Sequence, residues 1–248
     1  MIKSFITMLK IELKLSIRDM NMILFAIIMP SVILSILGII YHGRSAFEAS
    51  YYSFIDQSFG ALCSISICAG SVMGLPIMIS DYREKKILKR FKTTPVSPIM
   101  ILMVNLLNYS LYALCSMILL WVEAKILFGF KMYGSWWNFI FGWILVLFSM
   151  FSIGMFVGGI AKNSKQASII ACILYFPMLI FSGAKLPYEI MPKTLQIVSD
   201  VMPLTQGIKI LKNISLGQQL DNMYISMLAM IGVAIIFTTC SIKFFKWE

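Results

Sequence analysis

Long uncharged runs alternate with short charged stretches along the whole chain. Six of them, at 20–43, 57–80, 93–122, 132–161, 166–184 and 222–242, carry no Asp, Glu, Lys or Arg. A helix needs roughly 20 apolar residues to cross the ~30 Å hydrocarbon core of a bilayer. All six runs reach that length, the fifth with the least to spare. The strands of a membrane barrel would instead alternate over ~10-residue segments, and no such pattern is present. The pattern therefore predicts an all-α membrane protein with six transmembrane helices in a single domain over residues 1–248.

Periodicity adds elements outside the spans. Within 1–19, Ile2, Phe5, Ile6, Leu9, Leu13 and Ile17 recur at the three-, four- and seven-residue intervals of one helical face. Lys3, Lys10, Lys14 and Arg18 collect elsewhere on that helix, as in an interfacial helix that meets anionic headgroups. In the loop 81–98, Ile87, Leu88 and Phe91 keep helical spacing until Pro95 and Pro98 stop the pattern. After the fifth run, 184–216 is cut by Pro187, Pro192 and Pro203 into pieces too short to span. One piece sets Leu195, Val198 and Met202 on a face, and the next sets Leu204, Ile208 and Leu211. These read as short helices lying in the outer leaflet, because unpaired backbone is not tolerated in lipid.

Composition agrees with this layout. Hydrophobic residues make up 59% of the 248 and charged residues 13%, against about 25% charged in a globular domain. A soluble fold of this size would leave a greasy surface. Of the 21 basic residues, fourteen fall on the side that holds both termini, the 81–98 loop and the 162–165 turn. Positive charge favours the cytoplasm, so both termini are expected there. The net charge of +10 is then an orientation signal, and no basic patch interleaved with aromatics points to nucleic acid. The basic segment before residue 20 lacks the form of a cleavable signal. All five cysteines lie within the apolar runs, which suggests no disulfide framework.

Inside the spans, Ser66, Gly70 and Gly74 form a stripe of small residues, as do Gly154 and Gly158, and each stripe invites a close neighbour. Pro30 and Pro76 are expected to bend their helices. Trp136 and Trp137 mark the outer interface at the start of the fourth span. His42 is the single histidine, so the His-Glu-x-x-His arrangement of a zinc protease is not available. Glu123 is the one carboxylate near a membrane core; it is expected at headgroup level, with contact to a cationic substrate as the functional reading. No Gly-x-x-x-x-Gly-Lys-Ser/Thr segment cradles phosphate, and Gly158-Gly159-Ile160-Ala161-Lys162 has the wrong spacing.

Two segments carry a resemblance. Arg83-Glu84 followed by Leu88-Lys89-Arg90 and Thr94-Pro95-Val96-Ser97, and Ser182-Gly183 with Pro187, Pro192 and Pro203-Leu204-Thr205, resemble the coupling segment and the outer loop of type-2 ATP-binding-cassette permeases. One departure is Lys86, near which the family often has glycine. The resemblance implies the membrane subunit of an ATP-driven exporter in the bacterial plasma membrane. Two permease copies, identical or paired with a sibling, would work with two ABC ATPase subunits, and these would bind the ATP and Mg. This chain itself would hold no cofactor and catalyse no reaction. By the same resemblance Tyr82, Arg83, Glu84, Lys85, Lys86, Leu88, Lys89 and Arg90 couple to the ATPase, with Glu84 making a charged contact near it. Phe59, Cys63, Phe176 and Leu179 line the translocation path, and Ser182, Gly183, Pro187, Pro192 and Pro203 form the outer cap. The cargo would be hydrophobic or amphipathic: a drug, an antibiotic peptide or a lipid-linked glycan. An ion-gradient transporter would want ionisable groups at the midplane, which the runs lack. A membrane-embedded enzyme would want paired intramembrane carboxylates, which they lack as well. A sensor or immunity protein that does not transport could use the same scaffold.

Overall fold

The computed structural model describes residues 2–17, 20–41, 52–87, 98–182, 192–218 and 223–244. Among these residues nine helices build the architecture: α1 (Ile2–Ser16), α2 (Leu24–Tyr41, preceded by a turn at Met20–Ile23), α3 (Phe54–Glu84), α4 (Pro98–Phe128), α5 (Trp136–Ile160), α6 (Ser164–Phe181), α7 (Lys193–Val201), α8 (Pro203–Ser215) and α9 (Tyr224–Phe244). Six of them, α2 to α6 and α9, are long and apolar enough to cross a membrane, as the apolar runs predict.

The two proline expectations resolve into a specific geometry. Wide π-type turns occupy Leu24–Ile28 and Ala69–Gly74, just before Pro30 and Pro76. Proline has no N–H to give the carbonyl four residues back, and its ring crowds that carbonyl. Widening the preceding turn relieves the crowding. Ser66 on α3 then donates its hydroxyl to the Ala26 carbonyl at 2.6 Å, replacing the amide that Pro30 lacks.

Small residues decide which helix sits at the centre. In α3, 83% of the membrane stretch is buried, against 17% in α9. Gly154 and Gly158 of α5 face α3: a Cβ at Gly154 would stand 1.9 Å from the Ser71 carbonyl oxygen, and one at Gly158 would meet Ile79 and Pro76 at 3.1–3.2 Å. Gly74 of α3 is closed over by Met22 and Tyr109. Both small-residue stripes therefore do bring neighbours close. Around α3 pack α2, α4, α5, α6 and α8, while α9 lies outside against α5 and α8.

Three boundaries move. α3 runs four residues past Ser80, so Asp81 to Glu84 are the last turn of a span and do not begin a separate helix. α4 begins at Pro98 and continues beyond Val122 through Glu123 and Lys125 to Phe128. A charge alone does not end a helix; Gly129 does, in the left-handed region at φ +66°. The pair of helices expected to lie in the outer leaflet also divides. α7 keeps Ile197 and Val201 exposed, but α8 buries Leu204, Ile208, Ile210, Leu211 and Ile214 against α3, α5 and α9. Its close approach rests on Gly60, where a Cβ would come within 2.6 Å of the Leu211 and Lys212 backbone.

Candidate coupling site at the C-terminal end of the third helix

Successive residues on a helix point about 100° apart, so the last three residues of α3 face three directions. Each finds a different partner. The Tyr82 hydroxyl donates to Glu12 Oε1 at 2.6 Å, and Glu12 is buried on the inward face of α1. Arg83 is buried and donates through Nη1 to the carbonyl of Ala161, the residue that ends α5. Glu84 Oε2 accepts both the backbone N–H of Ser164 at 3.0 Å and its hydroxyl at 2.8 Å. Ser164 opens α6, so Glu84 places negative charge against the positive end of that helix. The neighbouring Asn163 side chain caps the same end through the amide of Gln166 at 2.8 Å.

α1 is tied a second time where the Asn108 side chain of α4 donates to Ser16 Oγ. One turn of α3 thus fastens α1, the end of α5 and the start of α6, and α1 in turn holds α4.

Beyond Glu84 the chain reverses. The amide of Lys85 reaches the Asp81 carbonyl at 2.9 Å, and that of Lys86 reaches the Arg83 carbonyl at 2.9 Å. Lys86 adopts φ +55°, a left-handed conformation that L side chains rarely take. Glycine fits there most easily, which gives the departure at Lys86 a geometric meaning. Lys85 pairs with Asp81 at 2.8 Å, and both lysines are exposed. Leu88, Lys89 and Arg90 lie outside the described residues.

The four residues expected to line a path are divided. Phe59 and Cys63 fill the chain's own interior, Phe59 against Phe130 and Phe139 with ring centroids 4.5 and 5.5 Å away. They present no surface because α3 is the central helix. Leu179 is nearly enclosed, while Phe176 on α6 is 49% exposed. Of the outer residues, Ser182 is buried and donates to the Leu179 carbonyl at 3.0 Å. Pro192 precedes α7 and Pro203 opens α8. Gly183 and Pro187 lie outside the described residues. Ser199 of α7 donates to the Phe181 carbonyl at 2.6 Å and stands 3.3 Å from the Thr205 hydroxyl, binding the end of α6 to both short helices. Lys209 pairs with Asp200 at 2.6 Å.

Sequence reasoning missed Glu12, Asn108, Ala161 and Ser164 as partners of this end. For Glu12 a signal existed: it falls at helical spacing with Phe5, Leu9 and Ser16, a carboxylate on an otherwise apolar face.

A basic loop could join any two spans, so the geometry alone describes a well-fastened helix end. The protein-family profile described as the ABC-2 type transporter matches residues 3–216. The chain belongs to that family. It is also 30% identical over 129 residues to the inner membrane transport permease YhhJ of Escherichia coli (strain K12) and to its namesake in Shigella flexneri. That stretch covers 52% of this chain and 34% of each relative.

Proposed function

We propose that this chain is the membrane subunit of an ATP-driven exporter in the bacterial plasma membrane, with both termini cytoplasmic. Two copies, or this chain and a sibling, form the path, and separate ATPase subunits bind the loop beginning at Lys85 and Lys86. The cargo is hydrophobic or amphipathic and leaves the cell. The observation that carries this reading is the fastening of Tyr82, Arg83 and Glu84 to three other elements. A push on the loop then moves α1, α5 and α6 together with α3, and it does not bend one helix alone. α1 adds a lipid contact, since Lys10, Ile11, Lys14 and Leu15 are all exposed on its outer side, a mixture suited to headgroups.

The test is reconstitution of the chain with a candidate ABC ATPase. Vesicles should take up cargo only when ATP and the ATPase are both present, and cargo should raise ATP hydrolysis. Transport that continues without any ATPase would overturn the proposal in favour of a gradient-driven carrier. A cysteine introduced for Lys86 should react with a membrane-impermeant thiol reagent only after cells are opened.

A further inference from the structure

α2 and α4 run side by side in the same direction, with Gly38 facing the Phe128 ring near their outer ends. Deeper in that seam, Ser31 and Ser35 of α2 each donate a hydroxyl to Glu123 of α4, one to each carboxylate oxygen. Glu123 lies five residues before the end of α4, about 8 Å inside it at 1.5 Å per residue. An ionisable group among apolar helices is costly to keep there, and it usually has a cationic partner. Among the described residues none is supplied: the ion pairs are Lys85–Asp81 and Lys209–Asp200. Lys125 is two residues on, about 200° round the helix, and its ammonium lies 5.0 Å over the Trp121 ring.

The carboxylate is also not filled. It offers about four acceptor positions, of which the two serines take two. All three side chains are half-buried, so the seam is open on one side. That side is apolar: Leu119 and Leu127, one turn either way from Glu123, are 41% and 58% exposed. Val32 and Ile36, next to the two serines, are 47% and 50% exposed.

We propose that Glu123, framed by Ser31 and Ser35, binds the ammonium group of an organic cation whose apolar body lies along Leu119, Leu127, Val32 and Ile36. The serines hold the carboxylate with its free lone pairs facing the opening. This deepens the exporter reading by naming a cargo chemistry. The binding itself needs no ATPase, so it can fail while the exporter reading stands, and the reverse.

The test is equilibrium binding of radiolabelled 4-phenylbutylammonium to the full-length chain in an uncharged maltoside detergent. The alcohol 4-phenylbutanol serves as the charge-free match. Wild type should bind the amine saturably and at least about tenfold more tightly than the alcohol. Glu123→Gln keeps both serine contacts and removes the charge, and should lose roughly that tenfold. Ser31→Ala with Ser35→Ala keeps the charge but loses its framing, and should weaken binding by less than Glu123→Gln does. Equal binding of amine and alcohol by wild type, a result that needs no variant, would overturn the proposal. So would a Gln variant that binds the amine like wild type, or a double-serine variant that loses as much as the Gln variant. If phosphatidylethanolamine displaces the amine and dioleoylglycerol does not, the occupant is a lipid amine. If neither displaces it, the occupant is a cargo.

Discussion

At its outer end α3 meets its neighbours backbone to backbone. Gly60 lies against Leu211 and Lys212 of α8, and the Ser53 and Asp56 side chains close the first turn as a reciprocal cap. Asp56 also accepts the Lys131 amide at 3.0 Å, fixing the loop that follows α4. At its inner end the same helix is held by the side chains of Tyr82, Arg83 and Glu84, each bridging to a separate element. Backbone packing admits one arrangement, since a shift of a few tenths of an ångström creates a clash or a void. Side-chain hydrogen bonds hold their partners by distance and direction, but they let each helix pivot about the contact. One end is therefore a fixed anchor and the other a set of joints. That is the polarity expected of a helix pushed from one side of the membrane.

The contrast predicts different failures. Gly60→Ala should cost more stability than any change at the other end of α3. Its Cβ would lie 2.6 Å from backbone atoms of α8, which cannot rotate away, so the cost should reach about 3 kcal/mol, the upper part of the overpacking range. Thermal unfolding in detergent would show it as a clearly lowered midpoint. An unchanged midpoint would mean that α8 is not anchored there.

Arg83→Met keeps much of the side-chain stem and removes the donor to Ala161. A hydrogen bond from a charged group contributes about 1.5–3 kcal/mol, but burying the guanidinium already costs some of that. The net loss should be about 1 kcal/mol, smaller than at Gly60. Its larger consequence should be functional: with the ATPase present, ATP hydrolysis persists but cargo no longer stimulates it. Arg83→Lys should restore little, since an ammonium on a shorter stem lacks the guanidinium's planar fork.

Glu84→Gln and Ser164→Ala act at the exposed edge of the same joint, where stability should barely respond. Each should instead weaken the link between α3 and α6, read as reduced cargo stimulation at unchanged unfolding midpoint. If the two single variants and the double variant all lose the same amount, the two side chains work as one contact. Fully additive losses would separate them and dissolve the joint.

The spans were legible because lipid imposes a length that no local preference can evade. The small-residue stripes at Ser66–Gly74 and Gly154–Gly158 were legible for a similar reason, since a missing side chain can be filled only by a neighbour. What the chain does across long separations was not. Glu84 and Ser164 are 80 positions apart, and nothing in either segment announces the other. The depth of α8 was hidden because its five buried aliphatic residues suit a helix on a surface as well as one in a core. Glycines remote in sequence, Gly60 and Gly142 among them, tell the two apart by meeting α8 at close range. α4 overran its apolar run because Ser31 and Ser35, also remote, receive Glu123.

Lys86 carries the smallest and most discriminating prediction. Its φ of +55° costs an L-residue roughly 1 kcal/mol, and Lys86→Gly would remove that cost. Glycine, however, gains about 0.5–1 kcal/mol of freedom in the unfolded chain, so the two nearly cancel. The unfolding midpoint should hardly move, and coupling to the ATPase should persist because the reversal after Glu84 is kept. Lys86→Val meets the opposite fate: branching at Cβ makes the left-handed region a true outlier, so the turn must open. Hydrolysis should then lose its response to cargo while the anchored outer half of the helix stays folded. If valine behaves like glycine, the reversal is not what presents the loop to its partner, and the inner end of α3 would be a fastening without a lever.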